Sequence, residues 1–275
     1  MINRSQLKFH ETFQPETSYI TSILELAESN FQGTKFQISD NTGIPTGKQK
    51  GKVEPSIKYA AFMGLINFSL DKGVYSLSLT DLGIEVFAQD KYLHEDLTKW
   101  LCHYGISRPN LGAAQWAFIV HDVHLGFMQS MSSEHVLKKA NLKFELSVSF
   151  EEMFGVVKRS YSDGFFSTLN YLEWDDMLSF TEHMETPELT YVYGYALLDS
   201  WDNLLPTKYE ITLTEINEML GLGKVFGLPP DEVNCVLDSL ADEGIVVLNR
   251  QLFPASVVRM TGTKELVAKL YSRLL

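Results

Sequence analysis

Apolar and polar positions alternate with a helical period early in the chain. From Ser18 to Ser29 the apolar residues are Tyr19, Ile20, Ile23, Leu24, Leu26 and Ala27, the stripe of a helix with one buried side. A short helix is expected near Gln37 to Asn41, then a loop from Gly43 to Gly51. Pro55 suits the first turn of a further helix, since its missing N–H would have had no partner there, and Ile57, Ala60, Ala61 and Met63 mark that helix's apolar side. Gly64 supplies a left-handed stop. Two strand-like runs follow, Leu65 to Leu70 and Val74 to Leu79, joined by Asp71-Lys72-Gly73, so a hairpin is predicted. Thr80-Asp81 opens another helix carrying Leu82, Ile84, Val86 and Phe87. Helices followed by a hairpin is the order of a winged helix, a relative of the helix-turn-helix.

The middle reads as helical: Asp96 to Tyr104, Ala113 to Phe127, Glu134 to Asn141 and Phe150 to Tyr161. The segment Tyr171 to Asp176 shows no clear period. Later, Pro187 to Leu205 is a long amphipathic helix and Thr212 to Leu220 another. A glycine-rich loop, Gly221 to Gly227, precedes a helix from Pro229 to Gly244. Ile245 to Leu248 and Leu252 to Val258 form a second candidate wing. Ala61-Phe62-Met63-Gly64-Leu65-Ile66 and Ala241-Asp242-Glu243-Gly244-Ile245-Val246 share the pattern Ala-x-x-Gly-aliphatic-aliphatic, which points to one supersecondary unit used twice. The expected fold is mainly α with small β-hairpins. Winged-helix modules at 1–92 and 187–275 flank a helical middle domain at 93–186.

Composition narrows the function. Of 275 residues, 35 are Asp or Glu and 23 are Lys or Arg, a net charge of −12, which argues against a uniform electrostatic grip on nucleic acid and leaves any contact to a local basic patch. Two cysteines, Cys102 and Cys235, are too few for a disulfide framework or a cysteine-based zinc site. Met1 to His10 holds no apolar signal core, and no apolar run approaches the ~18 residues of a membrane span. The expected location is the cytoplasm. There is no Gly-x-Gly-x-x-Gly fingerprint, no complete P-loop and no Gly-x-Ser-x-Gly.

One basic patch stands out. Lys48, Lys50, Lys52 and Lys58 lie close together with Glu54 as the local opposing charge, just before and inside the candidate recognition helix. Such concentrated charge at a helix start suits phosphate contact. Ser56, Lys58 and Tyr59 are expected to face a groove, with Ile57, Ala60 and Ala61 toward the core. Lys72, at the wing tip, is placed for a backbone contact.

Phe9-His10-Glu11-Thr12-Phe13 resembles the F-H-E-T-F signature of a bacterial family formerly of unknown function. Ser56-Ile57-Lys58-Tyr59, Gly64-Leu65-Ile66, Leu79-Thr80-Asp81-Leu82-Gly83, Trp100-Leu101-Cys102-His103-Tyr104, Tyr195-Ala196-Leu197-Leu198-Asp199-x-Trp201 and Leu270-Tyr271 resemble it in the same order. The likeness spans nearly the whole chain, and Ser162 to Thr186 departs from it. It implies the SspB-type component of a DNA phosphorothioate modification and antiphage defence system. Implied partners are double-stranded DNA and the cysteine desulfurase, ATP-pyrophosphatase-type and ATPase proteins of that system, with no membrane. The implied activity is nicking of one DNA strand so that sulfur can be incorporated.

Nicking needs water activation and charge stabilisation at phosphorus. His10, which can move a proton near neutral pH, and Glu11, which can hold Mg or Mn, are the candidate catalytic residues. Local metal chemistry would need further carboxylates, for which Glu173, Asp175 and Asp176, or Asp122 between His121 and His124, are the available clusters. His103 reads as a core residue packed with Trp100 and Tyr104. Two other functions fit the same residues: a non-enzymatic adaptor for the sulfur-transfer and ATPase partners, and a winged-helix transcriptional regulator.

Overall fold

The structure is a computed structural model, which describes residues 7–124, 126–127, 129–251 and 254–274. The chain forms two compact units, Met1–Phe180 and Thr181–Leu275. Among the described residues it is mainly helical, with three small antiparallel sheets of three strands each.

In the first unit, helix α1 (Thr17–Glu28) buries Ile20, Ile23, Leu24 and Ala27, the stripe read from the sequence. Strand β1 (Gln32–Thr34) leads into α2 (Lys35–Thr42), whose start is fixed by reciprocal hydrogen bonds between Thr34 and Gln37. After a loop, α3 (Val53–Phe62) ends at Gly64, and the hairpin β2 (Ile66–Asp71) and β3 (Val74–Leu79) follows. Strand order is β1-β3-β2. Then α4 (Asp81–Gln89) begins at once, capped by Thr80. That tight junction requires Gly83, because a Cβ there would sit 1.8 Å from the Leu65 carbonyl oxygen.

Helix α5 (Asp96–Ser107) opens the rest of this unit. The predicted helix Ala113 to Phe127 is a short α6 (Ala114–Ala117) continued by a π-helical turn, Phe118–Val123. Its expected position Leu125 lies outside the described residues. Helices α7 (Ser133–Phe144) and α8 (Phe150–Ser162) match the helical period. The helical middle domain also carries a sheet that the sequence does not show: β4 (Met131–Ser132), β5 (Leu172–Trp174) and β6 (Met177–Phe180) pair in the order β4-β6-β5. Leu172, Trp174, Leu178 and Phe180 are buried while Glu173 and Met177 are exposed. This strand alternation is interrupted by Asp175-Asp176 at the turn, too short on either side for a period to register.

The second unit rebuilds the first module's plan. Helix α9 (Thr190–Leu204), β7 (Glu210–Thr212), α10 (Leu213–Glu215) with a π-helical turn Ile216–Leu220, α11 (Leu222–Phe226), α12 (Pro230–Asp242), β8 (Val246–Asn249), β9 (Ser256–Arg259) and α13 (Thr263–Val267) follow in order. The sheet order β7-β9-β8 repeats first-third-second. Thr212 and Glu215 repeat the capping box of Thr34 and Gln37. Gly64 and Gly244 take φ of +80° and +68°, and each is followed by an aliphatic N–H that closes the helix: Leu65 onto the Ala60 carbonyl, Ile245 onto the Leu240 carbonyl. The predicted loop Gly221 to Gly227 is corrected to the helix α11, whose Leu222, Val225 and Phe226 are buried. Positions 252 and 253 of the expected second wing strand lie outside the described residues. Among the described residues, no helix is long and apolar enough to cross a membrane.

Candidate nucleic-acid interface

The lysines of the basic patch meet different fates. The loop from Gly43 to Lys52 is pinned along its length. Ile44 is buried, and its carbonyl accepts a bond from the Ser39 hydroxyl. The Lys52 N–H donates to the Pro45 carbonyl at 2.7 Å, and the Gly51 N–H donates to the Glu11 carboxylate at 3.2 Å. Lys52 is itself an anchor. Its ammonium donates to Glu16 at 2.7 Å and lies 5.3 Å and 5.1 Å from the ring centres of Phe13 and Tyr19. The Glu16 hydrogen bond raises its pKa above the ordinary lysine value. Lys35 is also engaged, 3.4 Å from Glu54. Burial pushes the Glu54 carboxyl up, but the Tyr75 hydroxyl bond and Lys35 outweigh it and hold the pKa low.

Lys48 and Lys50 form the exposed crown of this loop, and Lys72 is exposed at the hairpin tip. Lys58 is half-buried on α3. Among the described residues, none of these four makes an ion pair with a carboxylate. Ser56 and Tyr59, expected to face a groove, are buried instead. The Ser56 hydroxyl donates back to the Lys52 carbonyl, and the Tyr59 hydroxyl donates to the Phe13 carbonyl at 2.8 Å. Conversely Ala61, expected in the core, is half-exposed. Pro55 lies in the first turn of α3 as expected, but the buried side of the helix is broader than one stripe and takes in Val53, Pro55, Ser56 and Tyr59 with Ile57 and Ala60.

His10 and Glu11 sit in a knot. Phe9 is buried edge-on against Tyr59 and Phe62. Glu11 and Thr12 both have left-handed backbones, φ +48° and +80°, uncommon for a β-branched residue. The turn is held from several sides. The Thr12 N–H donates to His10 Nδ1 at 3.1 Å, and Arg159 donates to the Thr12 carbonyl. Since Nδ1 accepts, the neutral ring carries its proton on Nε2, 3.5 Å from the Gln115 side-chain nitrogen, which is itself a donor and bonds the Leu7 carbonyl. Burial, then the charges of Arg159 and Lys8, lower the His10 pKa to about 4. His10 is 3% exposed. Its free lone pair is committed to a backbone N–H, and its ring is shut off from solvent.

The residues considered as metal ligands lie in separate places. One carboxylate oxygen of half-buried Glu11 accepts from the Gly51 N–H. Glu173, Asp175 and Asp176 ring an exposed hairpin turn. Asp122 pairs with Lys143, and His121 Nε2 lies 3.1 Å from the Ser107 carbonyl, so it donates there. Among the described residues, no three His, Cys, Asp or Glu side chains converge to hold a cation. His103 is fully buried, its Nδ1 2.7 Å from the Tyr161 hydroxyl and its ring 4.4 Å from that of Tyr171, inside an aromatic core with Trp100 and Phe166. The residues that sequence reasoning missed are Gln115 and Arg159. Each is more than a hundred positions from the motif it supports, so no local signal marks them.

These features define a class: a mainly helical protein of two units, with a helix-and-hairpin module in each and an exposed lysine crown on the first. Among solved structures that fold is found in SspB. Two SspB crystal structures, one of them bound to magnesium ion, align with a TM-score of 0.74 over 97% of this chain and 88% of theirs, at 17% identity for the magnesium-bound form and 19% for the other. No protein-family profile and no curated protein matches the chain.

Proposed function

We propose that the protein is the DNA-binding component of a phosphorothioate modification system. In this reading the first module is a winged helix, with α3 as its recognition helix and β2–β3 as its wing. Lys48 and Lys50 take the DNA backbone, with Lys58 and Lys72 beside them. The observation that carries it is the exposed, unpaired Lys48–Lys50 crown on a chain of net charge −12, held from beneath by Glu11, Phe13 and Glu16. Flexible surface lysines without a partner release counterions at little ordering cost when they meet phosphate. The SspB fold supports the link to sulfur modification and to the sulfur-transfer and ATPase proteins as partners.

The role of His10 and Glu11 in this reading is positioning. They shape the turn that carries the Gly51 anchor, and the proposal is one of binding rather than of strand cleavage through these two residues. Duplex binding followed by fluorescence anisotropy tests it. Micromolar or tighter binding that weakens steeply with salt supports the reading, and salt-independent or absent binding removes it.

A second reading, an adaptor for protein partners, is favoured by the second unit. Glu218, Asp231 and Asp242 are exposed there, and exposed Asp238 pairs with Arg250. That surface suits a basic protein partner and repels DNA. Pull-down of the sulfur-transfer proteins in the absence of DNA supports this role, and capture only with DNA counts against it.

A further inference from the structure

β2 is an edge strand without the usual protection. Natural sheet edges are shortened, charged, bulged or covered, because their free N–H and C=O groups otherwise template another strand. β2 is six residues long, longer than the edge strands of the other two sheets, and its residues Asn67 through Asp71 are all exposed. It contains no proline and no lysine, and its one charge, Asp71, is at its end. Phe68 and Leu70 are 37% and 53% exposed although they lie on the same side of the sheet as the buried Leu77 and Tyr75, their partners in register. They overhang the core at an edge where nothing among the described residues covers them.

The backbone fixes how a second strand would pair. Thr80 N–H donates to the Leu65 carbonyl, and Leu65 lies one residue before the Ile66–Leu79 pair. In an antiparallel ladder the residues of one strand point their N–H and C=O alternately to either side. Leu65, Asn67 and Ser69 therefore point toward β3, and Phe68 and Leu70 present their N–H and C=O outward. Ile66 is buried, which confines a partner to the exposed stretch Asn67–Asp71.

We propose that this edge pairs with the same edge of a second copy of the chain, antiparallel about a twofold axis through Ser69. The register is self-complementary. Phe68 falls opposite the second copy's Leu70 as a hydrogen-bonded pair, so the two outward-facing residues exchange backbone bonds and their apolar side chains meet on one face. Asn67 falls opposite Asp71, an amide against a carboxylate. No two like charges face each other. The result is a continuous six-stranded sheet. A single pair of short strands buries less than the roughly 1,200 Å² of a stable interface, so the dimer is weak and forms at high local concentration. This inference is independent of DNA binding.

Sedimentation equilibrium of the full chain, without DNA, tests it from low micromolar to several hundred micromolar. The expected result is a weight-average mass rising from monomer toward dimer. L70P removes the outward-facing N–H and the Leu70 side chain while leaving the hydrogen bonds to β3, and is expected to hold the chain monomeric. F68K/L70K and F68E/L70E each place like charges opposite one another and are expected to be monomeric alone. Their equimolar mixture is expected to associate, because each ammonium of one copy then faces a carboxylate of the other. A wild-type chain that stays monomeric throughout, association that survives L70P, or a mixture no more associated than its components each overturns the proposal.

Discussion

Between β1 and β3 the first module interposes an open loop, Gly43 to Lys52, ahead of α3. Between β7 and β9 the second fills the same place with the buried helix α11. Their frames otherwise agree: the strand order, the threonine capping box, the left-handed glycine before the hairpin, and the bond from the third strand's end back to the first hairpin residue, Thr80 to Leu65 and Met260 to Ile245. Their charges differ in sign. Asn30 to Ala60 has five lysines against Asp40 and Glu54, while Lys208 to Asp238 has two lysines against six carboxylates. Packing therefore constrains the frame, and the segment between the second and third helical elements is free to carry a surface. In one module it is spent on lysines, in the other on core.

The sharpest way to break the comparison is at the hairpin-to-helix junction. The first module starts α4 directly after Thr80, whereas the second inserts Thr261 and Gly262 before α13. Gly83 and Glu265 occupy the same position of the first turn, but only Gly83 is pressed against a carbonyl. Gly83→Ala is expected to cost about 3 kcal/mol or more, and Glu265→Ala to stay within about 0.5 kcal/mol, by denaturant unfolding. Equal effects would mean that the two junctions are alike.

His10 gives the next effect. Its folded pKa of about 4 lies below the ordinary 6.5. As pH falls below 6.5 the unfolded chain takes up a proton that the folded chain refuses until about pH 4. The stability present above pH 6.5 is therefore lost progressively across that window, by about 3 kcal/mol at most. His10→Gln is expected to flatten this part of the stability–pH curve relative to the parent. An unchanged curve would show that the ring is not buried neutral.

A smaller effect tests whether the frame is truly shared. Thr34→Ala and Thr212→Ala remove the same cap from the two modules and are each expected to cost about 1 kcal/mol. A cap that matters in one module and not in the other would separate them.

Much of this frame was legible in the chain. The stripe of α1, the hairpin β2–β3 and the Ala-x-x-Gly-aliphatic-aliphatic junctions carry their periods and stop signals locally. The elements that escaped are those whose cause is distant. β1 is three residues long and exists because β3 pairs with it, and β5–β6 alternates over runs too short to distinguish from irregular chain. The Phe9–Phe13 motif reads as candidate chemistry because it collects an imidazole and a carboxylate. Its meaning is set by Gln115, Arg159 and Gly51, which the fold brings to it, and there the imidazole is buried and the carboxylate holds a loop. Spacing alone groups Lys52 with Lys48 and Lys50, and the position of Glu16 tells them apart.

The most direct measurement is the salt dependence of duplex binding by three forms of the protein. The parent, K48A/K50A and, from the second module, K208A/K264A are compared by the slope of log affinity against log salt. The account predicts that K48A/K50A lowers the slope by about 2 and weakens binding uniformly across sequences, while K208A/K264A leaves it in place. A slope unchanged by K48A/K50A, or lowered equally by K208A/K264A, would contradict it.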